Sequence, residues 1–223
     1  MKLIRLAGLW IALILVAMTA SPVAARGETN LNFVLGKKYL EADDWPVGDN
    51  QGSISFLSTF GPRSWPVQVA IDILGSASAS TSTLFPESSA EIRGNELVHS
   101  TLELDVGVRK IWRSGRARPF VGGGVGVIWG QQEVEFEWSP VFDTEGNQIT
   151  NYPALVLTEN DEAPGVWIDG GVFWRLGKMF NIGVEARYSR AELSFRDRKV
   201  QAGGFNLGLI LGWGWGGGAR IVP

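Results

Sequence analysis

The sequence contains no cysteine and a single histidine among its 223 residues. Without cysteine the chain can form no disulfide framework, no thiolate metal site and no lipidated cysteine near its amino terminus. Positive charge is also scarce: the formal net charge is −3, and it becomes −5 when the two basic residues within 1–25 are removed. This acidic balance argues against a nucleic-acid partner.

A second long hydrophobic run is also missing, because the apolar stretch 6–16 has no counterpart elsewhere. Lys2 and Arg5 precede that stretch, and small residues ending at Ala25 follow it, an order typical of a secretory signal peptide. A transmembrane anchor is the weaker interpretation, because a spanning helix needs roughly 18 apolar residues. We predict a signal peptide over 1–25, one domain over 26–216 and a short tail over 217–223.

Strict alternation is the strongest pattern that the sequence does contain. Over 98–110, apolar residues occupy most even positions, while polar, charged or glycine residues occupy the odd ones. A strand built on this stretch would have one apolar and one polar face. Its length also exceeds the roughly 9–11 residues that a tilted strand needs to cross a hydrocarbon layer.

Eight segments alternate in this way, and the connections between them are short and long in turn. An outer-membrane barrel shows the same asymmetry, with short periplasmic turns and longer external loops. We therefore predict an all-β fold, an eight-stranded antiparallel up-and-down transmembrane β-barrel. The predicted strands are 31–39, 52–60, 65–75, 97–112, 120–130, 166–176, 180–190 and 203–215, and the predicted long loops are 40–51, 76–96, 131–165 and 191–202.

Glycines help to separate this fold from a soluble eight-stranded barrel such as a lipocalin, which also alternates. In the fifth and eighth segments one phase is rich in glycine and the other carries bulky apolar residues. The interior of an eight-stranded barrel is just wide enough for side chains to fill it, so small residues fit inside and bulky ones outside. The two phases thus favour lipid on the outside.

Aromatic residues gather near the two ends of the segments, as two interfacial girdles would. Trp167 and Phe173 are exceptions, since their positions point inward. The predicted girdle residues are Trp65, Trp112, Phe120, Trp174, Phe180, Trp213 and Trp215 at the short-turn end, and Tyr39, Trp129, Tyr188 and Phe205 at the long-loop end.

The polar phase of the strands places both signs of charge inside the predicted lumen. Buried charges need partners, so we expect a plug of ion pairs that closes the barrel rather than a continuous pore. The residues assigned to the lumen are Gln68, Asp72, His99, Glu103, Asp105, Arg109, Asp169, Arg175, Glu185, Arg187 and Asn206.

The turn 177–179 allows two registers between the sixth and seventh segments. One sets Asp169 opposite Glu185, and the other sets Asp169 opposite Arg187. Because like charges repel across a strand pair, we predict the second register. It also sets Leu176 opposite Phe180, and we expect Asp169 and Arg187 to anchor the plug.

Three strings, ARPFVGGGVGVIWG, IGVEARYSR and GGFNLGLILGWGW, are similar to strands of the small eight-stranded outer-membrane barrels. That family is typified by the transmembrane domain of outer membrane protein A and by adhesin-like and hydrophobic-ligand members. The resemblance implies a monomer among outer-membrane lipids and lipopolysaccharide. It also implies that the barrel-assembly machinery takes up the last strand, although 216–223 continue beyond the expected final aromatic residue.

The resemblance leaves three functions open, because this fold serves several. The first is an envelope-structural or surface-interaction role without catalysis. The second is a narrow transporter of small hydrophobic solutes, for which Ile128, Trp167 and Phe173 would be inward apolar steps. The third is a lipid A-modifying enzyme, which resemblance links to a serine and a histidine. His99 and Ser100 would point to opposite faces of one strand, so we assign no catalytic residue.

The long loops carry an excess of acid. The segment 131–164 contains eight Asp or Glu residues and no Lys or Arg, but their spacing matches no calcium loop. We therefore predict neither a metal site nor a cofactor.

Overall fold

The computed structural model describes residues 27–41, 44–45, 49–82, 92–113, 115–138, 141–142, 148–150, 155–195 and 198–216. The predicted signal peptide and tail lie outside these residues and stay predictions. Among the described residues, no helix is long and apolar enough to cross a membrane. The strands in this part of the chain are β1 (Gly27–Tyr39), β2 (Asn50–Pro62), β3 (Gln68–Ser82), β4 (Ile92–Ile111), β5 (Ala117–Trp138), β6 (Val141–Phe142), β7 (Gln148–Thr150), β8 (Leu155–Leu176), β9 (Phe180–Arg190), β10 (Glu192–Phe195), β11 (Arg198–Gln201) and β12 (Gly204–Trp215).

Eight of these strands close into a barrel in the order β1-β12-β9-β8-β5-β4-β3-β2. All neighbours are antiparallel, and β1 closes the barrel by pairing with both β2 and β12. The remaining strands form two small hairpins, β6–β7 and β10–β11. The predicted eight-stranded antiparallel up-and-down barrel is confirmed.

The two phases of each strand face opposite environments. On β12, Leu209 is 63% exposed on the outside, whereas its neighbour Ile210 is completely buried inside. On β4, Val106 and Val108 are exposed, while Asp105 and Arg109 are buried. The outer surface therefore carries the apolar phase, as the alternation predicted.

The long-loop ends of four strands extend further than the sequence indicated. The β5–β8 ladder continues to the pair Phe136 and Leu155, so most of the predicted loop 131–165 is strand. On β5 the alternation continues through 133–138, EVEFEW, and this signal was overlooked. On β8 the segment 155–165 does not alternate, because hydrogen bonds of the ladder satisfy its backbone without any need for an apolar face. The predicted loop 191–202 likewise contains the β10–β11 hairpin, and Trp65 lies in the turn before β3 rather than in the strand.

The predicted register between β8 and β9 is correct. Asp169 lies opposite Arg187, and Leu176 lies opposite Phe180. Gly177 occupies the connecting turn with a φ of 61°, a left-handed conformation that glycine adopts without strain. A tight turn at this position fixes the register and with it the face of every residue on both strands.

Apolar side chains inside the barrel form two separate clusters. The inner cluster lies towards the short turns and consists of Val34, Leu57, Ile111, Phe120, Phe173 and Ile210. The mouth cluster lies at the long-loop end and consists of Leu40, Trp45, Ile128, Ala163, Ala191, Leu193, Phe195, Val200 and Ala202.

Candidate functional site

The buried polar residues of the lumen form the candidate functional site. The structure buries all eleven residues that the sequence assigned to the lumen. It brings five of them, Asp72, Asp105, Arg109, Asp169 and Arg187, into direct ionic contact, and we call these five residues the central network.

Two arginines hold the central network together across the barrel. Nη2 of Arg109 lies 2.7 Å from Oδ2 of Asp72, and the same guanidinium donates to Asp169. Nη1 of Arg187 lies 2.9 Å from Oδ2 of Asp72, and its Nη2 lies 2.5 Å from Oδ2 of Asp105. Asp72 therefore links both arginines, and the network joins β3, β4, β8 and β9.

Asp169 and Arg187 do not anchor this network as a pair, contrary to the expectation from their register. Although they lie opposite each other, Asp169 accepts from Arg109, and Arg187 donates to Asp72 and Asp105. The lumen is narrow enough for a long guanidinium to reach carboxylates across it, and two carboxylates satisfy more of its donors than one neighbour does.

A second ion pair, which the sequence analysis missed, joins the polar layer to the mouth. Nζ of Lys38 lies 2.6 Å from Oε1 of Glu103 and 2.9 Å from both Oγ1 of Thr101 and the carbonyl oxygen of Ala202. Lys38 is buried, whereas Lys37 beside it is exposed. Parity along β1, which buries Asn30, Asn32 and Val34, was the signal that could have found it.

A third cluster surrounds Glu28 at the short-turn end. Its carboxylate accepts from Arg118, Nε of Arg113 lies 2.6 Å from Oε2, and Nη2 of Arg175 lies 3.6 Å from Oε1. Arg175 also lies 2.5 Å from Oδ1 of Asn30. Of the predicted lumen residues only Arg175 belongs to this cluster, because Glu28 and Arg118 were not recognised as inward residues.

Aromatic rings cover the arginines of the central network. The guanidinium carbon of Arg187 lies 4.4 Å from the ring centroid of Trp167, and that of Arg109 lies 5.6 Å from it. The predicted inward orientation of Trp167 and Phe173 agrees with their burial. These contacts stabilise the charged guanidinium groups by cation–π attraction inside the lumen, where water is excluded.

The prediction that Phe120 belongs to the girdle is wrong. Phe120 is buried, and its ring lies 6.1 Å from that of Phe173. Position 120 shares the inward parity of the β5 glycines, so its ring fills space that Gly171 leaves on the neighbouring strand. The other predicted girdle residues are at least partly exposed on the outer surface.

Four predicted lumen residues stand outside these ion pairs: Gln68, His99, Glu185 and Asn206. Nε2 of Gln68 donates to the carbonyl oxygen of Glu28 at 3.1 Å, and Oδ1 of Asn206 accepts from Oγ of Ser53 at 2.6 Å. Neither carboxylate oxygen of the buried Glu185 accepts a hydrogen bond from the described residues. His99 lies under the mouth cluster, where its ring packs edge-on against Trp45 with centroids 4.7 Å apart.

The mouth cluster is held by the β1–β2 connection and the β10–β11 hairpin. Nε1 of Trp45 donates to the carbonyl oxygen of Gln201 at 2.7 Å, and the amide of Gln201 donates to Asp44 at 2.7 Å. At the exposed surface of the hairpin, Lys199 donates to Glu192, and this hydrogen bond raises the pKa of Lys199. The hairpin thus brings its inner apolar residues over the end of the barrel.

The geometry offers little for catalysis or metal binding within the part of the chain that the structure describes. His99 is buried inside while Ser100 has the outward parity of β4, so the two side chains diverge. The described residues include no group of three His, Asp or Glu side chains placed to hold a metal ion.

The sequence matches no protein-family model and no curated relative. Among solved structures, it is similar to Ail, the attachment invasion locus protein of Yersinia pestis in complex with the heparin analogue sucrose octasulfate. The TM-score is 0.50 at 11% identity, and the alignment covers 85% of this chain and 99% of Ail.

Two further similar structures are a major outer membrane protein from Thermus thermophilus and the N-terminal β-barrel domain of Pseudomonas aeruginosa OprF. Their TM-scores are 0.46 and 0.36, each at 10% identity, covering 85% of this chain and 98% of the other. At these sequence identities, structural similarity shows a shared fold and says nothing about a ligand. The chain has the fold of the small eight-stranded outer-membrane barrels.

Proposed function

We propose that this protein is a monomeric outer-membrane β-barrel with an envelope-structural or surface-interaction role, and that ion pairs close its lumen. The central network carries the proposal, because its two arginines link carboxylates from three strands, β3, β4 and β8. A permeating ion would have to break these buried contacts.

The layers above and below the central network support a closed lumen. The mouth cluster covers the long-loop end. In the inner cluster, the ring of Phe120 contacts Arg109 of the central network, and the ring of Phe173 contacts Arg175 beside Glu28. Hydrated ions gain nothing from apolar surroundings, so each layer adds a desolvation barrier. The ionic and apolar layers together favour a structural element over a channel.

Planar-bilayer recording tests closure. We expect no steady single-channel conductance from the purified protein and a detectable leak from Arg187→Ala, which removes the link between Asp72 and Asp105. Lys199→Gln on the exposed hairpin is the control and should remain silent. Steady conductance of the unmodified protein, or an unchanged trace for Arg187→Ala, would contradict a gating role for the network.

Cell fractionation tests the location. We expect the chain to sediment with outer membranes after cleavage behind Ala25, and to migrate differently on gels before and after boiling, as folded barrels do. Recovery as a freely soluble periplasmic protein would refute the proposal. Binding to lipopolysaccharide and insertion by the barrel-assembly machinery belong to the same proposal.

A narrow transporter of small hydrophobic solutes is the second candidate. The inward orientation of the apolar residues Ile128, Trp167 and Phe173 favours it. Ile128 and Phe173 are packed within the two apolar clusters, and Trp167 covers the arginines of the central network, which supports filling of the lumen rather than a passage. Uptake of a hydrophobic dye into proteoliposomes would separate the two candidates. Mass spectrometry of lipid A from cells with and without the protein tests the less supported enzymatic role.

The charge of the outer surface limits the class of surface partner. Ail was solved with a sulfated heparin analogue, but segment 131–164 of this chain contains eight Asp or Glu residues and no Lys or Arg. A polyanion would be repelled by such a surface. We infer that a surface partner, if bound there, is neutral or cationic.

A further inference from the structure

The three short turns of the barrel concentrate positive charge at one end. Segments 61–68, 110–118 and 174–180 contain no Asp or Glu. They contain seven cations: Arg63, Lys110, Arg113, Arg116, Arg118, Arg175 and Lys178. The acidic segment 131–164 belongs to the opposite end, so the molecule is electrically polarised along the barrel axis.

These seven cations divide into an inner and an outer group. Arg118 and Arg175 are buried and, with Arg113, surround Glu28. The other four lie around the outside of the barrel end, where Lys110 has the lipid-facing parity of β4 and the rest are exposed turn residues. We call these four residues the basic rim: Arg63, Lys110, Arg116 and Lys178.

Exposed tryptophans mark the depth of the basic rim in the bilayer. Trp65 and Trp112 lie in the first two turns, and Trp174 and Trp213 lie on β8 and β12, each between 43% and 50% exposed. Tryptophan favours the headgroup level of a membrane because its ring is apolar and its N–H is polar. Cations at the same level lie beside lipid phosphates.

We propose that the basic rim binds anionic phospholipid headgroups of the inner leaflet of the outer membrane. This inference rests on the proposed function, which places the short turns on the periplasmic side. Juxtamembrane Lys and Arg residues are attracted to an anionic lipid surface. Cations spread over three separate turns suit several separate headgroups of a leaflet better than one compact ligand.

Electron spin resonance with spin-labelled lipids tests the proposal on the full chain folded in phosphatidylcholine vesicles. We expect labelled phosphatidylglycerol to associate with the barrel about three- to tenfold more strongly than labelled phosphatidylcholine, an order of magnitude set by a few surface cations. The ratio should fall towards one in about 1 M NaCl, because salt screens surface charge.

A matched pair of triple variants locates the site. Arg63→Gln/Arg116→Gln/Lys178→Gln should bring the ratio close to one. The control removes three cations from the other end and should leave the ratio unchanged. It consists of Lys37→Gln, Arg190→Gln and Lys199→Gln, all at exposed residues.

The outcomes separate this inference from the proposed function. If the chain folds in vesicles, as judged by its gel shift, but labelled phosphatidylglycerol and phosphatidylcholine associate with it equally, the lipid site alone is overturned. Equal loss in both triple variants also overturns it. A chain that fails to insert overturns the barrel function instead. Rim-dependent sedimentation with purified peptidoglycan sacculi, without lipid preference, would assign the rim to an anionic wall polymer.

Discussion

On β4, Leu104 and Val106 point outward, and Glu103 and Asp105 point inward. The outward residues need only be apolar, because lipid chains adapt to whatever shape they meet. The inward residues each need a defined partner: Glu103 contacts Lys38, and Asp105 contacts Arg187. The outward face of a strand therefore requires only that its residues be apolar, whereas the inward face requires a particular residue at each position. The two faces should respond to substitution in different ways.

The largest expected effect is on the inward face. Arg187→Ala leaves Asp105 without its cation, and breaking a buried pair in this way costs about 3–5 kcal/mol. Urea unfolding in phosphatidylcholine vesicles, followed by tryptophan fluorescence, measures it. Arg187→Ala combined with Asp105→Asn should recover part of the loss, because the unpaired charge is gone. A loss below about 1 kcal/mol, the range of exposed pairs, would mean that the contact is solvated.

The next largest effect is on the outward face. Leu104→Arg places a cation against lipid near mid-strand, which costs about 2–4 kcal/mol. Alternation alone predicts that Thr101→Arg is harmless, because position 101 faces the lumen. The structure revises that expectation: Thr101 is buried beside Lys38, so a second cation there should also destabilise. Equal unfolding midpoints for Thr101→Arg and the control Thr101→Ser would restore the simpler prediction.

The smallest effect compares one substitution on both faces. Ile210→Val removes a buried methylene and leaves a small void, at a cost of about 0.5–1.5 kcal/mol. Ile168→Val makes the same change where the side chain is 60% exposed on the outside. Lipid chains fill that gap, so we expect the smaller loss for Ile168→Val in the same urea experiment. The reverse order would mean that the lumen is loosely packed at Ile210.

The fold was largely predictable because its signals are local. Strand number and the inward and outward faces follow from alternation. The short turn leaves two registers for β8 and β9, and repulsion between like charges selected the correct one. The long-loop end of β5 was predictable from the alternation of 133–138 but was overlooked. The long-loop end of β8 was not predictable, because a ladder that extends beyond the lipid does not require an apolar face. Phe120 was assigned from its place near a turn, whereas its parity decides its orientation.

The candidate site was predictable only as a set of inward residues. Asp72, Asp105, Arg109, Asp169 and Arg187 could be assigned to the lumen from sequence, but their pairing could not. The expected partners Asp169 and Arg187 are neighbours in the ladder and yet bind other residues. Lys38 was missed because the alternation of β1 is weaker than that of β4, and Glu28 was missed because the first strand was predicted to begin at position 31 rather than 27.

The sequence by itself determined which side of each strand meets lipid, since that property depends on residues two positions apart. Only the tertiary structure decided which charges meet inside. Arg187 and Asp105 are 82 residues apart, and Arg109 and Asp169 are 60 apart. These side chains come together because the closed barrel brings distant strands across a lumen narrower than two long side chains. Period-two patterning carries no information about that closure.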